Sequence, residues 1–191
     1  ILDDKEFSDF DVFGIGDGGA SAPNADSVFV EGGRDDETGD YGLRFLLSWN
    51  AGTGQTVNAN LNFAVSILDE PEWQDWFIED VKMLLTGASA TGSGVVNASE
   101  TVLDGPVPGG SIVASLSTSK QEFDGGTNLT DYAEFDPLKA IWVRKDISIA
   151  GGTAPNGAAH LSELFEFFSQ VPEPSSLAVL LLGAAVLRRR R

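Results

Sequence analysis

The stretch Val57-Asn58-Ala59-Asn60-Leu61-Asn62-Phe63-Ala64-Val65-Ser66-Ile67 decides the fold. Its odd positions are all apolar, and the even positions between them include Asn58, Asn60, Asn62 and Ser66. Side chains alternate between the two faces of a strand, so this pattern predicts a half-buried strand with one apolar and one polar face. Tyr41, Leu43, Phe45, Leu47 and Trp49 repeat it on one side. Ile141, Val143, Ile147 and Ile149 repeat it on the other, against Trp142, Arg144, Asp146 and Ser148. Lys145 interrupts that last apolar series and is expected to snorkel out from its edge.

Weaker strands are predicted over residues 7–15, 27–31, 78–86, 94–103 and 111–118. Glycine-rich turn clusters separate them, among them Gly16-Asp17-Gly18-Gly19, Asn50-Ala51-Gly52-Thr53-Gly54 and Gly151-Gly152. Leu161, Leu164, Phe165 and Phe168 have helical spacing, but Leu161, Glu163, Phe165 and Phe167 also alternate. A last strand is predicted there because the preceding elements are strands. Residues 70–77 read as a loop or a single helical turn. Short strands with glycine-rich turns and no room for helical crossovers predict an all-β fold, an antiparallel β-sandwich of jelly-roll-like form over residues 1–170. A C-terminal apolar helix follows within residues 171–191.

A chain of 191 residues with 42% hydrophobic content suffices for one domain and a tail. Acids outnumber bases 29 to 12, for a net charge of -17, which argues against nucleic acid as a partner. The absence of cysteine excludes disulfide scaffolds, thiolate metal sites and cysteine nucleophiles, and a single histidine excludes His-rich metal sites. Four of the 12 bases are Arg188, Arg189, Arg190 and Arg191, so an acidic body carries a basic end. The chain opens at Ile1 without a charged and apolar leader, so a signal peptide is expected to have been removed, or the chain is a fragment.

The tail has three parts. Val171-Pro172-Glu173-Pro174-Ser175-Ser176 is an extended connector, because two prolines one residue apart continue neither a helix nor a sheet interior. An apolar run over 177–187 follows, with Leu177, Val179, Leu180, Leu181, Leu182, Val186 and Leu187 as its anchoring side chains. The run is 11 residues long. A durable membrane span needs roughly 20. The arginine cluster then holds the cytoplasmic side by the positive-inside rule. A short, marginal anchor suits a segment that is later removed.

Pro-Glu-Pro, an apolar helix and a terminal arginine cluster, in that order, resemble the PEP-CTERM sorting signal of Gram-negative environmental bacteria. The resemblance implies that Pro172, Glu173 and Pro174 are read by an exosortase, a membrane-embedded, Cys-dependent, transpeptidase-like enzyme that removes the anchor. It also implies a secreted or cell-envelope destination, reached through a transient inner-membrane precursor. Residues 43–67 and 141–157 resemble secreted β-rich domains that carry such tails in planctomycete-type bacteria. That second resemblance implies no known activity.

Candidate chemistry in the body is sparse. Trp73, Trp76 and Phe77 lie beside Glu72 and Asp75, where a flat ring next to a carboxylate could stack on a sugar. The same rings could instead cap the open end of the core. Asp9, Asp11 and Asp17, and separately Asp35, Asp36, Glu37 and Asp40, sit in loops that could offer oxygens to calcium, but no complete Asp-x-Asp-x-Asp-Gly loop is present. Solvated surface loops of an acidic protein are the favoured reading of them. His160 is the sole imidazole and is expected to be a hydrogen-bonded residue at a strand edge. No Gly-x-Ser-x-Gly elbow, phosphate loop or dinucleotide fingerprint occurs, so no catalytic residue and no metal ligand is assigned and an enzyme is not expected. Asn97-Ala98-Ser99 and Asn128-Leu129-Thr130 match the short N-glycosylation pattern. The expected role is structural or adhesive, with an extracellular polysaccharide-binding module, calcium-assisted or not, as the alternative.

Overall fold

The computed structural model describes residues 1–106, 109–122, 127–153 and 155–172. The predicted apolar helix over 177–187, Glu173, Pro174 and the arginine cluster lie outside them.

Among the described residues twelve strands run in chain order: β1 (Lys5–Asp17), β2 (Phe29–Arg34), β3 (Tyr41–Gly52), β4 (Thr56–Ile67), β5 (Trp76–Leu84) and β6 (Ala88–Thr91), then β7 (Val95–Leu103), β8 (Ile112–Gln121), β9 (Thr130–Leu138), β10 (Ala140–Ala150), β11 (Ala158–Phe168) and β12 (Gln170–Pro172). They form two antiparallel sheets. One has the order β1-β4-β10-β7-β8. The other has the order β12-β5-β11-β3-β2, with β6 paired to β11 and β9 to β5. Counting from β3, the first strand pairs with the last (β3 with β11), then β4 with β10, β5 with β9 and β7 with β8. That nesting is the double Greek key of a jelly roll.

The alternation read from sequence places the core. Val57, Ala59, Leu61, Phe63, Val65 and Ile67 of β4 point inward and meet Leu43, Phe45, Leu47 and Trp49 of β3, Ile141, Val143, Ile147 and Ile149 of β10, and Leu161, Leu164 and Phe168 of β11. Each fully buried Leu, Ile or Phe contributes about 1.5–3 kcal/mol relative to exposure. The ambiguous segment after His160 is a strand, as alternation predicts.

Four local expectations need correction. Lys145 does not snorkel: its side chain is 0% exposed, and its ammonium lies between Glu100 and Glu166 inside the sandwich. One strand read alone could not show that partners from β7 and β11 would meet it there. His160 is not at an edge, because β11 is flanked there by β3 and β6; its Nδ1 is buried without a hydrogen-bond partner. Within 70–77, only the first part is a turn, and Trp76 and Phe77 already begin β5. The connector is also not free from its first residues. Gln170, Val171 and Pro172 pair with Ile78, Phe77 and Trp76 of β5. Pro172 is tolerated there because it ends a strand and needs no further ladder donor.

β12 also ties the two sheets. Lys5 of β1 is fully buried and donates to Asp4 Oδ1 at 2.9 Å and to the Gln170 side-chain carbonyl. Ser169, between β11 and β12, donates its Oγ to Asp80 Oδ2 and its N–H to Asp80 Oδ1.

Candidate functional site

The outward face of the five-stranded sheet is built from the polar half of the alternation. Strand register aligns side chains into rows. Phe13, Asn60, Asp146, Ser99 and Ser117 lie side by side across β1, β4, β10, β7 and β8. Ile15, Asn58, Ser148, Asn97 and Ser119 form the next row. On the other side come Asp11, Asn62, Arg144 and Thr101, and then Ala64, Trp142 and Leu103. The result is a ladder of amides and hydroxyls with an apolar rim on β1, where Phe13 is 60% and Ile15 56% exposed.

Internal bonds hold the ladder. Asn60 Nδ2 donates to Asp146 Oδ1, and Arg144 lies 3.5 Å from the other Asp146 oxygen. Asn62 Oδ1 is buried and has no hydrogen-bond partner among the described residues. A shallow depression of about 290 Å³ is lined by Phe13, Ile15, Asn58, Asn97, Ser99 and Ser148. A second, of about 360 Å³, is lined by Asp9, Asp11, Asn62, Trp142 and Arg144. An amide offers two donors and an acceptor, and an exposed ring offers an apolar plane, so this face can hold a polyhydroxylated ligand.

The sequence-predicted residues lie elsewhere. Trp73 and Trp76 are half-buried and pack against the core, with their rings edge to face at 5.8 Å and 73°. They therefore present no common plane. Lys139 Nζ sits 4.2 Å above the Phe77 ring and donates to the Trp76 carbonyl at 2.8 Å and to that of Gln74. Pro172 pairs with Trp76, so the first residue of the Pro-Glu-Pro motif lies beside this aromatic turn.

The two acidic groups lie apart from each other. Asp9, Asp11 and Asp17 are spread along β1, where Asp9 and Asp11 line the second depression of the ladder face. Asp35 accepts from Lys82 Nζ at 2.7 Å and from the Glu37 N–H at 2.9 Å. Burial pushes the Asp35 carboxyl up, but the Lys82 hydrogen bond and charge outweigh it and hold it below the usual carboxylate range. Among the described residues no three His, Asp or Glu side chains gather to hold a metal ion. Among them, too, no helix is long and apolar enough to cross a membrane. Asn97 is exposed on the ladder face, and Asn128 precedes β9 and donates its Nδ2 to the Ser117 carbonyl.

The ladder escaped the sequence reading because Asn58, Asn60 and Asn62 could be placed only on a solvent side. Their neighbours on β1, β7 and β10 follow from register, which a single strand does not carry.

The description of the PEP-CTERM protein-sorting motif matches residues 170–191. The chain is thus a two-sheet antiparallel β-sandwich carrying a C-terminal sorting motif. No curated protein matches it. Among solved structures, a family 11 carbohydrate-binding module from Clostridium thermocellum, in complex with a mixed-linked tetrasaccharide, is similar at 12% identity and a TM-score of 0.30, covering 85% of this chain and 89% of that one. A family 4 carbohydrate-binding module is similar at 10% identity and a TM-score of 0.31, with 86% of each chain covered. The enzymatically active domain of tailspike protein 4 from bacteriophage CBA120 is similar at 17% identity and a TM-score of 0.29. The match covers 84% of this chain and spans only 19% of the tailspike chain.

Proposed function

We propose that the protein is an exported component of the cell envelope or extracellular matrix with a structural or adhesive β-sandwich. In this reading an exosortase-type enzyme reads Pro172, Glu173 and Pro174 and removes the apolar run and arginine cluster from an inner-membrane precursor. The observation that carries it is the sorting motif matched at residues 170–191, a stretch that begins with β12 of the sandwich. The high acidity of the body supports solubility outside the cell. The test is the intact mass of the protein recovered from the cell exterior. A mass lacking the arginine cluster is expected. A secreted protein that keeps Arg188 to Arg191 would sink the reading.

A second reading, binding of an extracellular polysaccharide, is favoured by one specific observation. The amide and hydroxyl ladder with Phe13 and Ile15 exposed at its rim is a large polar surface with ring-sized apolar area beside it. In this reading the sugar contact lies on the five-stranded sheet rather than on Trp73, Trp76 and Phe77. Neutral polysaccharides fit best, because the net charge of -17 repels acidic ones. Neither reading involves a catalytic residue or a required cofactor.

A further inference from the structure

Three ionisable side chains meet in the centre of the sandwich. Glu100 of β7 and Lys145 of β10 face each other on paired strands of one sheet, and Glu166 of β11 enters from the other. All three side chains are 0% exposed. Lys145 Nζ contacts Oε2 of both glutamates, and among the described residues its one other contact with a polar atom is Met83 Sδ at 3.7 Å. The other oxygens, Glu100 Oε1 and Glu166 Oε1, are buried with no hydrogen-bond partner. Apolar residues surround the group, with Leu61 opposite Lys145, Leu116 opposite Glu100, and Leu43 and Met83 beside Glu166.

As a set of ions this cluster is costly. Each buried ion loses several kcal/mol of hydration, and one ammonium can neutralise only one of two carboxylates. Burial, and then the charge of Glu100, push Glu166 well above the usual carboxylate range. Burial works to lower Lys145, but the two glutamates outweigh it. An amine and two carboxyl groups in contact with it therefore share one dry site, in a chain that has no cysteine for a disulfide staple.

We propose that Lys145 and Glu166 condense to an intramolecular isopeptide bond that joins the two sheets, with Glu100 as the proton acceptor. Glu100 takes one proton from the ammonium. The freed Nζ lone pair attacks Glu166 Cδ. The Cδ–OH bond breaks, and its hydroxide leaves with a second Nζ proton as water. The product is a neutral secondary amide beside a neutral Glu100 carboxylic acid. No oxidant or cofactor enters the balance. Fixed proximity replaces a bimolecular encounter, and the apolar site favours the uncharged product over the ions.

Mass spectrometry of the denatured full chain tests this. The expected mass is one water below that of the sequence. Trypsin should fail to cut after Lys145, so that residues 145–188 appear as one peptide, short of one water and closed by a 145-to-166 link. A link to Glu100 would instead join that peptide to residues 83–120 and would overturn the assignment of the acceptor. A wild-type chain of full mass, cut after Lys145, would overturn the proposal outright, whether or not any variant folds. Lys145→Met and Glu100→Ala should both restore the full mass. Continued loss of water in Glu100→Ala would remove Glu100 from its role.

Discussion

Phe13 and Trp76 are both open to solvent in part, but only Trp76 packs on the core and on a second ring. Trp76→Ala is therefore expected to cost about 1–3 kcal/mol in chemical denaturation. Phe13→Ala, at an exposed rim position, should stay within about 0.5 kcal/mol of wild type. The same Phe13 variant should weaken retention on neutral polysaccharide in affinity electrophoresis if the ladder face is the binding surface. Unchanged retention would move the contact elsewhere. Acid stability is a second residue-scale quantity. Asp35 is held below the usual carboxylate range despite its burial, by Lys82. Glu163 is held low by its Thr86 hydrogen bond and, against burial, by Arg44. A carboxyl lowered in the folded state gives stability that is full above the ordinary carboxylate range and lost as pH falls through it toward the folded value. Glu79 is raised by burial and by the neighbouring Asp80 and Glu134 and acts with the opposite sign. The difference between wild type and an Asp35→Asn, Glu163→Gln double variant isolates the first pair. That gap in denaturation midpoint should be largest near neutral pH and shrink by about pH 3. A constant gap would show that these partners do not set the acid limb. At this scale the sequence was least legible. Alternation gave the direction of Asn60 and Lys145 but not their companions, since Asn60 meets Asp146 and Lys145 meets Glu100 and Glu166 only through pairing between distant strands.

Elements were legible in proportion to their burial. β3, β4 and β10 line the core on one face, and their apolar alternation is unbroken or nearly so, so each could be read directly, whereas β11 also carries helical spacing and was read as a strand from its neighbours. β9 was missed because it is Thr-Asp-Tyr-Ala-Glu-Phe-Asp-Pro-Leu, an edge strand with few apolar residues and a proline. β6 has four residues, too few to show a period. β12 was read as free connector because Pro172 cannot donate to a ladder, yet an edge strand can end on proline. Its worth is testable by truncation. A chain ending after Ser169 loses three pairings with β5 and strips Lys5, a buried cation, of its Gln170 partner. A chain ending after Pro172 keeps both. The shorter chain should be less stable by about 1–3 kcal/mol, since a buried charge loses one of its two acceptors. For a domain of this size that corresponds to roughly 3–10 °C in scanning calorimetry. Equal midpoints would reduce β12 to an unimportant trailing segment.

At the scale of the whole molecule, the first residues of the connector belong to the sandwich. The sandwich closes its own chain by setting β12 on β5, and the motif begins on the last paired residue, Pro172. Proline has no N–H to donate to a ladder, and the pairing described for β12 ends at Pro172. Beyond the motif, 11 apolar residues cannot make a durable span, since at about 1.5 Å per residue they cover about half of a hydrocarbon core. Two effects of Pro172→Ala coincide: the motif loses its first residue, and the strand end opposite Trp76 gains a backbone N–H. Glu173→Gln changes the motif and leaves the strand end as it is. Expressed in a host with an exosortase-type enzyme, both variants should leave full-mass precursor in the membrane fraction if the enzyme reads the chemistry of all three residues. If only Pro172→Ala blocks processing, what matters is that the chain leaves the sheet at that point. Processing of both variants at the wild-type rate would separate the motif from anchor removal altogether.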